Sequence, residues 1–92
     1  MIVSNMTKRH IILDLITSPK YFYDNIFLSK EEFYDILDFV KSNCFVIKER
    51  KKEDNWEYIY EIEFLYDSKP LLLKNWKSYT SQYEIFVLNR ET

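Results

Sequence analysis

Two sets of side chains in this chain are spaced for recognition chemistry, and they carry opposite charge. Glu57, Glu61, Glu63 and Asp67 fall along one short stretch, and Asp35 and Asp38 lie in an earlier segment. Lys48, Arg50, Lys51 and Lys52 form a basic run just before the acidic stretch. Such carboxylates can occupy a basic groove on a partner, standing where nucleic-acid phosphate would stand. Such cations can meet the phosphate itself. Each set also has a plainer reading. Carboxylates alternating with apolar residues mark the wet side of a half-buried strand. Cations diluted by Glu49, Glu53 and Asp54 mark a solvated hairpin.

Bond-making chemistry has little to work with. The chain has no glycine and no alanine. Phosphate-cradling loops and dinucleotide fingerprints need glycine for positive φ and close backbone approach, so both are excluded. The glycine-flanked nucleophile elbow goes the same way. One histidine, His10, and one cysteine, Cys44, make no zinc site of the Cys/His kind. His10 sits beside Lys8 and Arg9 at a polar helix start, which reads as surface. Cys44 sits at a helix-to-strand junction, which reads as buried and inert. No catalytic residue, cofactor or metal is expected.

The elements that hold these residues are read from periodicity. The best-signalled is a helix from Ser29 to about Asn43. Ser29 and Glu32 make a capping box, and Leu28 with Phe33 makes a hydrophobic staple. Phe33, Ile36, Leu37 and Val40 follow helical spacing and form a buried stripe, with Asp35 and Asp38 opposite. A helix over about Thr7–Thr17 has Ile11, Ile12, Leu15 and Ile16 at helical spacing, although β-branched residues also suit a strand. Ser18-Pro19 ends it. Pro19 suits the first turn of a short helix from Lys20 to Ile26.

After Asn43 the period changes to two. Cys44–Lys51 reads as a strand and Lys51–Asn55 as a polar turn. Trp56, Tyr58, Tyr60, Ile62, Phe64 and Tyr66 then alternate with Glu57, Ile59, Glu61, Glu63, Leu65 and Asp67. That is the signature of a strand with one buried, aromatic face. Those rings are also of the type that stacks single-stranded bases, but the helices need a face to cover and this is the most apolar one. Ile59 and Leu65 interrupt the acidic side and give it the character of a mixed interface. Asp67–Pro70 reads as a turn, Leu71–Trp76 as a strand with a short helix as the alternative, and Tyr83–Leu88 as a final strand. The expectation is a single α+β domain over residues 1–92. Two to three N-terminal helices pack on one face of a three- to four-stranded antiparallel meander.

Composition narrows the setting. Lys and Arg number 13, Asp and Glu 15, for a net charge of −2. The total charge neither draws the chain to nucleic acid nor drives it away. One cysteine allows no disulfide within the chain, which fits a reducing cytoplasm. No signal pattern and no membrane-spanning apolar run is read, so no membrane association is expected. Nearly half the residues have AT-rich codons, while Gly, Ala, Arg and Pro together supply five. That balance points to an AT-rich genome, a property of many phages, viruses and plasmids and of some cellular genomes, and leans towards a mobile element.

Three resemblances follow. In size, acidity and lack of catalytic residues the chain is similar to anti-CRISPR proteins. This implies a stoichiometric inhibitor of a host protein, such as a nucleic-acid-binding defence effector, in the host cytoplasm. In that role Glu57, Glu61, Glu63, Asp67, Asp35 and Asp38 meet basic partner residues, with Tyr58, Tyr60, Trp76 or Tyr79 as anchors where exposed. The helix followed by a basic-tipped hairpin resembles a winged-helix domain. This alternative implies a nucleic-acid-binding regulator using Lys48, Arg50, Lys51 and Lys52. It ranks second because Glu31, Glu32, Asp35 and Asp38 on the would-be recognition helix repel phosphate. The helix-pair-then-sheet order is loosely similar to messenger-RNA-cleaving toxins. This implies a metal-free ribonuclease set of Lys48, Arg50, Lys52, Tyr83 and Arg90, although such toxins are basic. A homodimer through an aromatic sheet edge is a further option.

Overall fold

The computed structural model describes residues 5–20 and 24–88. The chain runs α1 (Asn5–Thr17), β1 (Asn25–Leu28), α2 (Lys30–Asn43), β2 (Phe45–Glu53), β3 (Tyr58–Tyr66), β4 (Lys69–Lys77) and β5 (Ser81–Val87). All five strands join one antiparallel sheet in the order β1-β5-β4-β3-β2. The α+β class holds, with two helices among the described residues and five strands.

The extra strand is β1. Asn25 and Ile26 belong to it and not to a helix, and the rest of the expected Lys20–Ile26 helix falls largely on residues outside the described set. β1 inserts between the two helices in sequence and pairs with β5, Ile26 opposite Ile85 and Leu28 opposite Tyr83. The helices therefore do not all precede the sheet.

α2 forms where its local signals place it. The Ser29 hydroxyl accepts from the Glu32 backbone N–H at 3.1 Å, and the Ser29 N–H donates to the Glu32 carboxylate at 2.7 Å. Each end of the box satisfies an amide that the first helical turn leaves without an intrahelical partner. The first cause of the lowered Glu32 pKa is that backbone hydrogen bond, and Lys8 at 3.3 Å assists. Phe33, Ile36 and Val40 are buried on the sheet side.

α1 rotates differently from the expectation. Leu13 and Ile16 are fully buried, while Ile11 and Leu15 are exposed. Polar pins fix that rotation. Arg9 reaches Asp35 of α2 at 3.2 Å, and its guanidinium lies 4.6 Å from the Phe39 ring centre. The Tyr66 hydroxyl donates to Asp14 at 2.7 Å, and Lys69 donates to the Thr17 carbonyl at 3.1 Å. Asp35 is thus held between the helices and not on a free solvated face. His10, expected at the surface, packs edge-on against Phe39 at 5.3 Å.

Both helices lie on one face of the sheet. Beneath them Tyr60, Ile62 and Phe64 of β3, Leu71 and Leu73 of β4 and Ile85 of β5 complete the core with Leu28, Phe33, Ile36 and Val40. The aromatic side of β3 is therefore core and not a stacking platform. Trp56 departs from it: β2 runs on to Glu53, the turn is displaced to Asp54–Glu57, and Trp56 stands out in solvent. The Asp54 carboxylate sets that turn by accepting from the N–H groups of Trp56 and Glu57, each at 2.8 Å.

The β3–β4 turn is tighter than expected. Tyr66 pairs with Lys69, so only Asp67 and Ser68 turn the chain, with φ of 51° and 63°. Lys69 and Pro70 already belong to β4, which is a strand throughout.

Candidate functional site

Alternation along each strand sends one row of side chains to the helices and the next row to the other side. No described element covers that other side. The pairing registers assemble it. Phe27 of β1 lies beside Glu84 of β5, which lies beside Lys74 of β4, then Glu61 of β3, then Arg50 of β2. Phe86, Leu72, Glu63 and Lys48 make the next row, and Gln82, Trp76, Ile59 and Lys52 the row on the other side. Leu65 and Phe45 pair at one corner.

Apolar side chains on β1, β4 and β5 and at the Phe45–Leu65 corner flank a charged row that ends on the cationic edge of β2. Phe27 is 67% exposed and Phe45 69%. Trp76, Phe86, Leu72 and Ile59 are half-buried by their neighbours in the sheet. Arg50 donates through Nε and Nη2 to the Glu61 carboxylate. A hollow of about 280 Å³ opens here, lined by Lys48, Arg50, Glu61, Glu63, Leu72 and Leu88.

Glu84 is the least expected group on the face. Only 7% of it is exposed, although no described helix covers it. Its two oxygens are taken separately, one by the Trp76 indole N–H at 3.0 Å and one by the Asn25 amide at 3.2 Å. Lys74 pairs with Glu84 across the strands. The indole is thereby held over the sheet in a defined position.

The six acidic residues read from the sequence do not form one surface. Glu61 and Glu63 share the uncovered face. Glu57 and Asp67 lie at opposite ends of β3, in the turns. Asp35 and Asp38 are on α2, across the sheet from them. Glu61 is neutralised by Arg50, and Glu63 pairs with Lys48 across the strands.

The basic run is not a hairpin tip. It lies along β2, with Lys48, Arg50 and Lys52 in the uncovered row and Lys51 in the other row. Lys51 sits 5.7 Å from the Tyr58 ring centre. Tyr83 lies on the helix side against Phe33, its ring centre 5.0 Å away. The sheet thus separates Tyr83 from Lys48, Arg50 and Lys52, and Arg90 is outside the described residues. Of the anchor rings, Tyr60 is buried, Tyr58 half-buried on the helix side, Trp76 half-buried on the uncovered face, and Tyr79 exposed in the β4–β5 turn. Sequence reading missed Phe27 and Phe86, whose strands meet only in the folded sheet.

Among the described residues, no group of three or more His, Cys, Asp and Glu is placed to hold a metal ion. Burial pushes the Cys44 thiol upward, which lowers its thiolate fraction and its reactivity. No described helix is long and apolar enough to cross a membrane. Comparison with family models, with curated proteins and with solved structures finds no match to this chain.

Proposed function

We propose that the protein is a non-enzymatic binding domain that seats the uncovered sheet face on a protein partner and acts by stoichiometric occupancy. The observation that carries this reading is the face itself: five described strands with the described helices on one side, and Phe27, Phe45, Trp76, Phe86 and Leu65 on the other. A one-sided sheet with rings held at its margins supplies the apolar anchors that protein interfaces use.

Glu61 and Glu63 stand among Lys48, Arg50 and Lys74, so the middle of the face is mixed in sign, which suits a protein surface more than the uniform charge of a nucleic acid. Such a face suits a partner that offers charges of both signs between apolar patches. A host nucleic-acid-handling protein offers such a surface, and the AT-rich composition supports a mobile-element source. The reading is then an inhibitor of host defence.

Capture from host lysate by tagged protein, with and without nuclease treatment, tests it. One stoichiometric protein should survive nuclease treatment. Phe27→Ser should abolish its capture while shifting stability by less than about 0.5 kcal/mol, because the ring is on the surface. Capture that depends on nucleic acid, or is indifferent to Phe27→Ser, would count against this face.

A further inference from the structure

We propose that the outer edge of β2 takes an acidic, extended segment of the partner as a sixth strand. This rests on the protein-binding reading and names the chemistry of the segment bound.

β2 is one edge of the sheet and runs nine residues, against four for β1 at the other edge. Every residue from Lys48 to Glu53 is exposed. An edge strand presents backbone N–H and C=O groups that a further strand can pair. Side chains decide which strand. Lys48, Arg50 and Lys52 occupy the uncovered row, while Glu49 and Glu53 occupy the other. The uncovered row of the edge is therefore wholly cationic from Lys48 onward.

Cationic edges commonly serve to prevent pairing between copies. The same geometry does so here. In a continuous sheet each residue faces one on the same side. A second copy in antiparallel register would set Lys48, Arg50 and Lys52 against one another. A segment with carboxylates at alternate positions reverses every one of those contacts. Arg50 remains able to take part: Glu61 uses its Nε and Nη2, and the guanidinium carries five N–H donors in all. Lys48 and Arg50 also line the hollow beside Leu72 and Leu88, so an incoming strand lies along its rim.

The test uses a short labelled peptide alternating glutamate with valine and threonine, and an isomer of the same composition with its glutamates contiguous. Fluorescence anisotropy reads affinity, and hydrogen exchange reads which amides become protected. The alternating peptide should bind at least about tenfold tighter than its isomer. Protection should appear in β2. Lys48→Thr with Lys52→Thr leaves the Arg50–Glu61 pair in place and keeps strand-forming residues, and should weaken binding by about tenfold or more. Arg50→Gln provides a second variant, judged by an unchanged thermal melt.

Absence of binding by the alternating peptide overturns the proposal. So does equal affinity for both isomers, which would be charge attraction without strand pairing. Tighter binding of an oligothymidylate than of the peptide would make the edge a nucleic-acid surface. A concentration-dependent dimer with β2 protected in the absence of peptide would make it a self-association edge. If Phe27→Ser abolishes capture of the partner while Lys48→Thr with Lys52→Thr does not, the edge proposal fails and the open-face reading stands.

Discussion

The Tyr60 hydroxyl donates a hydrogen bond to the Glu49 carboxylate, diagonally across the β2–β3 ladder, and Lys41 of α2 closes on the same carboxylate at 3.4 Å. The bond from Tyr60 is the first cause of the lowered Glu49 pKa. Burial first, and then Glu49, raises that of Tyr60. Tyr66 is pushed up to about 12, by burial first and then by its bond to Asp14.

The signs give two limbs of a stability profile. A lowered carboxylate contributes above its ordinary pKa of 4.5 and is lost as pH falls through the folded value. A raised tyrosine contributes below its ordinary 10.0 and is lost as pH rises, for Tyr66 through about 12. Urea midpoints should therefore decline below pH 4.5 and again above pH 10. Glu49→Gln should flatten part of the acid limb and leave the Tyr66 part of the alkaline one. An acid limb unchanged in Glu49→Gln would remove Glu49 from the account.

Glu84 should be costly to disturb despite lying on the uncovered side. Trp76→Phe keeps an aromatic ring, although a smaller one, and removes the donor to one buried oxygen. The expected loss is about 1–3 kcal/mol, the cost of leaving a buried acceptor unsatisfied. Combining it with Glu84→Gln should cost less than the sum of the two single changes. Additivity within error in a double-mutant cycle would mean that the indole and the carboxylate do not act together.

The Asp67–Ser68 turn carries two non-glycine residues at positive φ. The pair has the φ signs of a type I′ hairpin turn, in which Asn-Gly is preferred. Ser68→Gly should stabilise the domain by about 0.5–1 kcal/mol, since the Cβ clash in this region is removed. A lower thermal midpoint for Ser68→Gly would show that the Ser68 side chain contributes more than its backbone strain costs.

Ser29→Ala should cost about 1 kcal/mol, and Ser29→Asp should recover most of it, because the carboxylate can accept the same N–H. Chemical denaturation of the two variants decides this. Equal loss in both would assign the effect to something other than the cap.

What was legible in the sequence was what is local. α2 announces itself within fifteen residues through its cap, box and apolar stripe, and β3 through its alternation. The same alternation misplaced Trp56, because a period of two continues through a turn until something breaks it. Here the breaker is the Asp54 side chain taking the N–H groups of Trp56 and Glu57. β1 was illegible because four residues carry almost no period, and its partner β5 lies far along the chain. Ile59 and Leu65 were the only trace of the uncovered face within β3. Its other apolar residues stand on four different strands, so no window of sequence contains it. The charge sets could not be grouped for a related reason: a run of like charge does not say which residues share a side until a register is known.

The β1–β5 pairing also sets an order of events. β2, β3, β4 and β5 are joined by short turns, so each pairing closes a small loop and can form early. β1 has to wait for β5, since Asn25 meets Phe86 and Leu28 meets Tyr83. During synthesis α1, β1 and α2 emerge with their apolar residues uncovered until β5 follows. Ile26→Val should therefore speed unfolding and leave the refolding rate nearly unchanged, which stopped-flow mixing can measure. The last of the five described strands to be made would then be the one that completes the first.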